Sequence, residues 1–239
     1  MSSGQSRRGL IWAIAGAVVL LIAIVAIIFS GTAGGPDATP ASPSRQSSTT
    51  SPTATAPSAS AQNAVVDSAV TKYGWMPEPI TTNRDEYIRA ALAAASTFDP
   101  SKSTRDKFLN YLATWFTPDT RRTSSADRAH ATQLYLGELS SSVVQPDDQW
   151  TELRANQSFV TAKVTGPITY MTVPGDPGGM VIGTADVSLS YHQGSVTNDD
   201  RVRVSVQVLC GPGSVPAAGS SQQAGDCKVI RYFGTAVEE

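Results

Sequence analysis

The sequence predicts an α+β domain carried on one transmembrane helix through a disordered tether. Three observations lead there. Residues 10–29 form an uncharged apolar block, residues 30–62 are almost all Ser, Thr, Pro, Ala or Gly, and beyond them the hydrophobic period changes from helical to two. Charge narrows the function classes at the same time. In 239 residues, 18 Lys and Arg stand against 20 Asp and Glu, a net charge of −2, which disfavours a charge-driven nucleic-acid binder. With two His and two Cys in the whole chain, no metal-binding cluster is spelled out.

The block at 10–29, LIWAIAGAVVLLIAIVAIIF, spans about 30 Å as a helix, one hydrocarbon core. Arg7 and Arg8 precede it and Asp37 lies beyond it, so the positive-inside rule keeps residues 1–9 in the cytoplasm and exports the rest. A cleaved signal peptide is the rival reading, because Gly31 and Ala33 are small residues in cleavage-like positions. Signal cores run about 7 to 15 residues, however, and this block is longer, so a retained anchor is expected. Trp12 fits the headgroup level.

Of the 33 residues at 30–62, 29 are Ser, Thr, Pro, Ala or Gly, which leaves nothing to build a core. Such a chain has a typical end-to-end distance of roughly 30 Å and a stretched limit near ~100 Å. It holds a domain away from the membrane. The Ser/Thr/Pro density also suits O-glycosylation, although a passive spacer is the favoured reading.

Residues 64–239 carry 15 Lys and Arg against 19 Asp and Glu and read as one extracytoplasmic domain. Its first half is helical. Residues 85–96 place Tyr87, Ile88, Ala91, Leu92 and Ala95 on one stripe, with Thr82 or Asn83 as N-cap. A second helix starts at Ser103, which with Asp106 forms a variant capping box. It carries Phe108, Leu109, Leu112, Trp115 and Phe116 on one face and ends at Thr117-Pro118. A third, at 125–139, sets Ala131, Leu134, Tyr135 and Leu139 together.

The second half alternates with period two. Strands are expected at 158–165, 168–173, 180–191, 201–209 and 228–236, separated by turn signals at Gly166-Pro167, 174–179 and 193–200. Val202, Val204, Val206 and Val208 face one way and Arg203, Ser205 and Gln207 the other, the pattern of an antiparallel sheet covered on one face. Helices first and a meander afterwards make an α+β fold. Cys210 and Cys227 bracket the last strand connection, and outside the cytoplasm they are expected to form a disulfide closing a loop of 16 residues. A redox or metal pair is the weaker reading, because the spacing is not CxxC and no His is near in sequence.

The stretch DEYIRAALAAASTFDPSKSTRDKFLNYLATWFTPD resembles a pattern of single-pass conjugative-transfer and plasmid-associated membrane proteins of Gram-positive, especially actinobacterial, bacteria. The likeness rests on the Asp-led helix, the Phe98-Asp99 pair, the Ser-x-Arg-Asp start at Ser103 and the tryptophan before Thr-Pro, and its stretch is residues 85–119. It implies a cone-shaped fold, similar to nuclear transport factor two, in which about three helices pack on a curved antiparallel sheet. It also implies a scaffold that meets other membrane subunits of a type IV secretion-like assembly, and it brings no catalytic residues with it.

The residues themselves argue against an enzyme. No G-x-S-x-G elbow occurs, and Gly211-Pro-Gly-Ser214 is a proline-rich loop. His130 and His192 are isolated histidines. Asp147-Asp148 and Asp199-Asp200 are read as solvated turn pairs without a calcium-loop pattern, and Asn156-Gln157-Ser158 is a sequon of low specificity. No catalytic residue, metal ligand or cofactor is therefore expected. Tyr87, Trp115, Phe116 and Tyr135 are assigned to the core, or to a small-molecule pocket between helices and sheet. The expected role is a non-enzymatic protein-interaction module at the cell membrane. Its expected partners are the membrane, proteins of a transfer or secretion assembly and a second copy of the chain, without nucleic acid. An extracytoplasmic ligand-binding or sensor domain is the alternative.

Overall fold

The computed structural model describes residues 64–238. The expected cytoplasmic tail, membrane helix and tether, with Arg7 and Arg8, lie outside the described residues. Among the described residues no helix is long and apolar enough to cross a membrane.

After a 3-10 turn at Ser68–Tyr73, α1 runs over Arg84–Ala94. Asn83 caps it by accepting from the Glu86 N–H at 3.2 Å, and Asp85 and Glu86 add negative charge at the positive end of the helix dipole. Helix α2 spans Arg105–Ala113 and is capped by Thr104, not by Ser103. The reason is packing: Ser103 is buried and its hydroxyl accepts from the Trp75 indole at 3.2 Å. Past Ala113 the chain tightens into i→i−3 bonds, so Trp115 and Phe116 sit on a terminal turn rather than within the helix.

Helix α3 covers Ser125–Glu138 behind a Ser124 cap and passes into a π turn at Leu139–Val143. Only Ala131 of α3 is fully buried, and Leu134, expected on the inner stripe, is 62 % exposed. The helix meets the body along the narrower seam of Ala131 and Tyr135. Helix α4, Asp147–Ala155, was not expected from the pattern. Asp147 and Asp148 therefore form its first turn rather than a free loop. Trp150 stacks on Phe98 at 4.5 Å, and Arg154 donates to the Pro100 and Ser103 carbonyls.

Four strands follow in the order β1-β2-β3-β4, all antiparallel: β1 Ser158–Thr172, β2 Met180–Gln193, β3 Val196–Leu209 and β4 Lys228–Phe233. The first two expected strands are one. Their apparent break, Gly166-Pro167, is an irregularity in β1 between Thr165 and Thr169, tolerated because β1 is an edge strand where a missing N–H costs no ladder bond. The expected loop at 193–200 is a tight hairpin about Gly194 and Ser195, with unbroken register from Met180↔Leu209 to Gln193↔Val196. Asp199 and Asp200 consequently lie in β3, not in a turn.

The main core fills the space between the sheet and helices α1, α2 and α4, around Tyr87, Ile88, Phe108, Leu112, Trp115, Trp150 and Val206. Helix α1 rests directly on the sheet at Gly183, where a Cβ would stand 2.8 Å from Ile88 Cδ1. The opposite face is covered too, which corrects the one-faced reading. Val173, Met180, Ile182, Leu209 and Ile230 form a second cluster beneath Tyr135 of α3 and Val237. Ser205 is buried there, bonded to Thr184 at 2.6 Å and to the Val237 N–H at 2.8 Å, and Gln207 is buried beside it.

Candidate functional site

The coverage of the sheet by α1 is incomplete. Beyond the end of that helix, the half-buried side chains of Val202 and Val204 on β3 form the floor of a groove of about 510 Å³. Leu92 of α1, Ala95 just past its end, Leu189 of β2 and Tyr232 of β4 extend the apolar floor, while Ser96, Ser142 and Gln145 contribute the polar rim. Residues 234–236 close one side. Gly234 is pressed onto the π turn, since a Cβ there would lie 2.5 Å from Ser142 Cβ. The lining holds one charged residue, Arg203, whose guanidinium pairs with Asp186 at 3.1 Å and with Glu238. The groove is thus an apolar surface with hydroxyl and amide edges, without a nucleophile–base pair among its lining residues.

None of the four aromatic residues singled out from the sequence lines this groove. Tyr87 and Trp115 are fully buried against each other, with ring centroids 5.9 Å apart. Phe116 packs on Tyr232 at 5.8 Å. Tyr135 lies across the sheet in the second cluster, its hydroxyl 3.3 Å from Asp119 and its ring 5.3 Å from the Arg231 guanidinium. Burial raises the Asp119 carboxyl, but bonds from Arg121 outweigh it and bring the group below its ordinary value.

A buried polar cluster sits at the far end of the core. Glu78, Lys228 and Tyr87 are each at most 1 % exposed. The Lys228 ammonium donates to both Glu78 carboxylate oxygens at 2.8 and 3.1 Å and to the Thr114 carbonyl at 2.9 Å, and the Tyr87 hydroxyl donates to Glu78 at 2.6 Å. Gln222 closes the cluster, donating to Glu78 at 3.3 Å. Burial raises the Glu78 carboxyl above its ordinary value against the opposing charge of Lys228. Burial likewise lowers Lys228, and burial beside Glu78 raises Tyr87 well above the usual phenol range. No sequence signal marked Glu78 or Lys228; only the apolar flanks of Lys228, in CKVIRYF, hint that it lies inside.

Cys210 and Cys227 are bonded at the end of β3 and the start of β4, beside the Leu209↔Lys228 pair. His130 is exposed on α3. His192 stacks on Phe159 at 4.5 Å and shares hydrogen bonds with Thr161 and Thr197. Asn156 caps the end of α4, and Gln157 takes φ 52° to turn into β1. Among the described residues no group of His, Cys, Asp and Glu is placed to hold a metal ion.

No family model matches the chain. No curated protein matches it. Among solved structures, the chain is similar to an IcmL-like type IV secretion system protein from Legionella pneumophila, with 14% identity and a TM-score of 0.41, covering 66% of this chain and 95% of that one.

Proposed function

We propose that the chain is a non-enzymatic, single-pass membrane protein presenting residues 64–239 outside the cell membrane as a protein-interaction module of a conjugative or type IV secretion-like assembly. The observation that carries this reading is the open apolar groove over Val202 and Val204, whereas Tyr87 and Trp115, the residues a ligand pocket needed, are spent on the core. The apolar block at 10–29 and the tether at 30–62 support the placement, and the resemblance of residues 85–119 to conjugative-transfer proteins supports the assembly and the cone-shaped fold. The mechanism is positional. Tethering to a membrane raises the effective concentration of the domain near other membrane subunits, so weak groove contacts suffice.

A small apolar ligand in the same groove is a second reading, favoured by a volume of about 510 Å³, within the usual range of ligand pockets. Cross-linking in intact native cells, followed by affinity capture of the full-length protein, separates the two. Transfer-system ATPase or channel subunits are expected with the wild type and are expected to be lost with Val202→Lys/Val204→Lys. Capture of the protein alone supports the ligand reading, and equal capture by the variant removes the groove from the contact.

A further inference from the structure

The connection between β3 and β4, residues 211–226, is anchored at three buried residues, Ser214, Gln222 and Asp226, while about half of its residues face solvent. Ser214 and Gln222 are buried, at 3 % and 4 % exposure. The Val215 N–H donates to the Thr117 hydroxyl at 2.8 Å, the Gly225 N–H to the Ser214 hydroxyl at 3.0 Å, and the Cys227 N–H to the Thr81 carbonyl at 2.8 Å. Gln222 ties the loop to what lies beneath it. Its carbonyl oxygen accepts from the Ala217 N–H at 2.9 Å and from Lys228 at 3.4 Å, while its amide donates to Glu78 at 3.3 Å. The two ends of this loop are the bonded Cys210 and Cys227, and Lys228 is the next residue in the chain.

We infer that residues 211–226 form a redox-gated roof over the Glu78–Lys228 pair. The Cys210–Cys227 bond reinforces the two ends of the roof, which the adjoining Leu209↔Lys228 pair also holds, and Gln222 is the latch that seats it. A dithiol reductant opens it in two steps: a thiolate attacks one sulfur to give a mixed disulfide, and the second thiol of the reductant then displaces the remaining cysteine. Two electrons and two protons pass to the protein, leaving two free thiols, and the reductant leaves as its own disulfide. Without the cross-link the roof must be held over a buried ion pair by a few hydrogen bonds against the entropy of about sixteen freed residues, and water then reaches the pair. The roof is closed only where the compartment is oxidising. This inference rests on the loop alone and stands whether or not the groove binds a partner.

Hydrogen exchange read by mass spectrometry on the full-length chain in detergent micelles tests it, with and without dithiothreitol, thiol release being verified by alkylation. On reduction, amides of 211–226 are expected to exchange within tenfold of an unstructured peptide, while those of the β1–β2 ladder keep at least hundredfold protection. Gln222→Ala, with the disulfide intact, is expected to speed roof exchange at least tenfold. A reduced chain whose roof keeps hundredfold protection overturns the proposal, as does simultaneous loss of protection in the ladder, or a Gln222→Ala roof that exchanges within twofold of wild type.

Discussion

Replacing Lys228 by Met isolates the electrostatics of the core from its packing, because Met retains the length of the aliphatic stem and removes the ammonium alone. The wild-type ammonium, 1 % exposed, donates to Glu78 at 2.8 and 3.1 Å, to the Thr114 carbonyl at 2.9 Å and to the Gln222 side-chain oxygen at 3.4 Å. Removing it leaves a carboxylate buried at 1 % exposure with only the Tyr87 hydroxyl and the Gln222 amide as donors. Breaking a buried pair from one side costs about 3–5 kcal/mol, which in a domain of this size lowers Tm by roughly 6–20 °C. Glu78 can relieve part of that cost by taking up a proton, and this sets a pH signature. Its folded-state value is already raised from the ordinary 4.5, so the folded chain binds the proton more tightly than the unfolded chain. Stability then falls as pH rises through that window, and the fall deepens once the opposing charge of Lys228 is gone. The deficit of the variant against wild type is therefore expected to be larger at about pH 7.5 than at about pH 5. Urea unfolding of residues 64–239, disulfide intact, followed by the fluorescence of Trp75, Trp115 and Trp150, measures it. Adding Glu78→Gln removes the stranded charge and is expected to restore most of the loss. A single variant that loses less than ~1 kcal/mol, or a double variant no more stable than the single, would refute the reasoning.

Residues 64–239 made alone are expected to unfold in one cooperative transition, since both core clusters lie within them; probes with separated midpoints would argue otherwise. Gly183→Val is expected to lose about 1–3 kcal/mol in urea titration, because its Cβ would stand 2.8 Å from Ile88 and force α1 off the sheet. Cys210→Ser/Cys227→Ser is expected to lower global stability by about 3 kcal/mol, the entropy of the loop it releases, with an unchanged midpoint as the contrary result.

What the sequence revealed follows from where its signals are strong. Tyr87, Ile88, Ala91 and Leu92 recur at helical spacing, and the alternating valines of 202–208 recur at strand spacing, so α1 and the later part of β3 could be read directly. The tandem of cysteines at a strand connection suggested the bond that joins them. Helix α4 was invisible because it buries one large side chain, Trp150, and leaves no stripe to count. Gly166-Pro167 looked like a terminator because nothing local says that β1 lies on an edge. Ser205 and Gln207 looked solvated because the cover over them comes from α3 and Val237, which are distant in sequence. The groove and the Glu78–Lys228 pair were illegible for the same reason: each exists only once segments far apart in the chain are brought together.

The first described residues are pinned to the segment that carries half of the buried pair. Ala64 and Val66 are bonded to Ile80 and Glu78 through backbone hydrogen bonds of 2.8 and 2.9 Å, around the Val65↔Pro79 bridge. Any tension arriving along the chain from the N-terminal side is thus loaded first onto the segment that carries Glu78. That residue is fastened to Lys228, 150 positions away, beside the cross-linked Cys227. A force that would otherwise peel a loose end therefore meets a footing clamped to the last strand of the sheet.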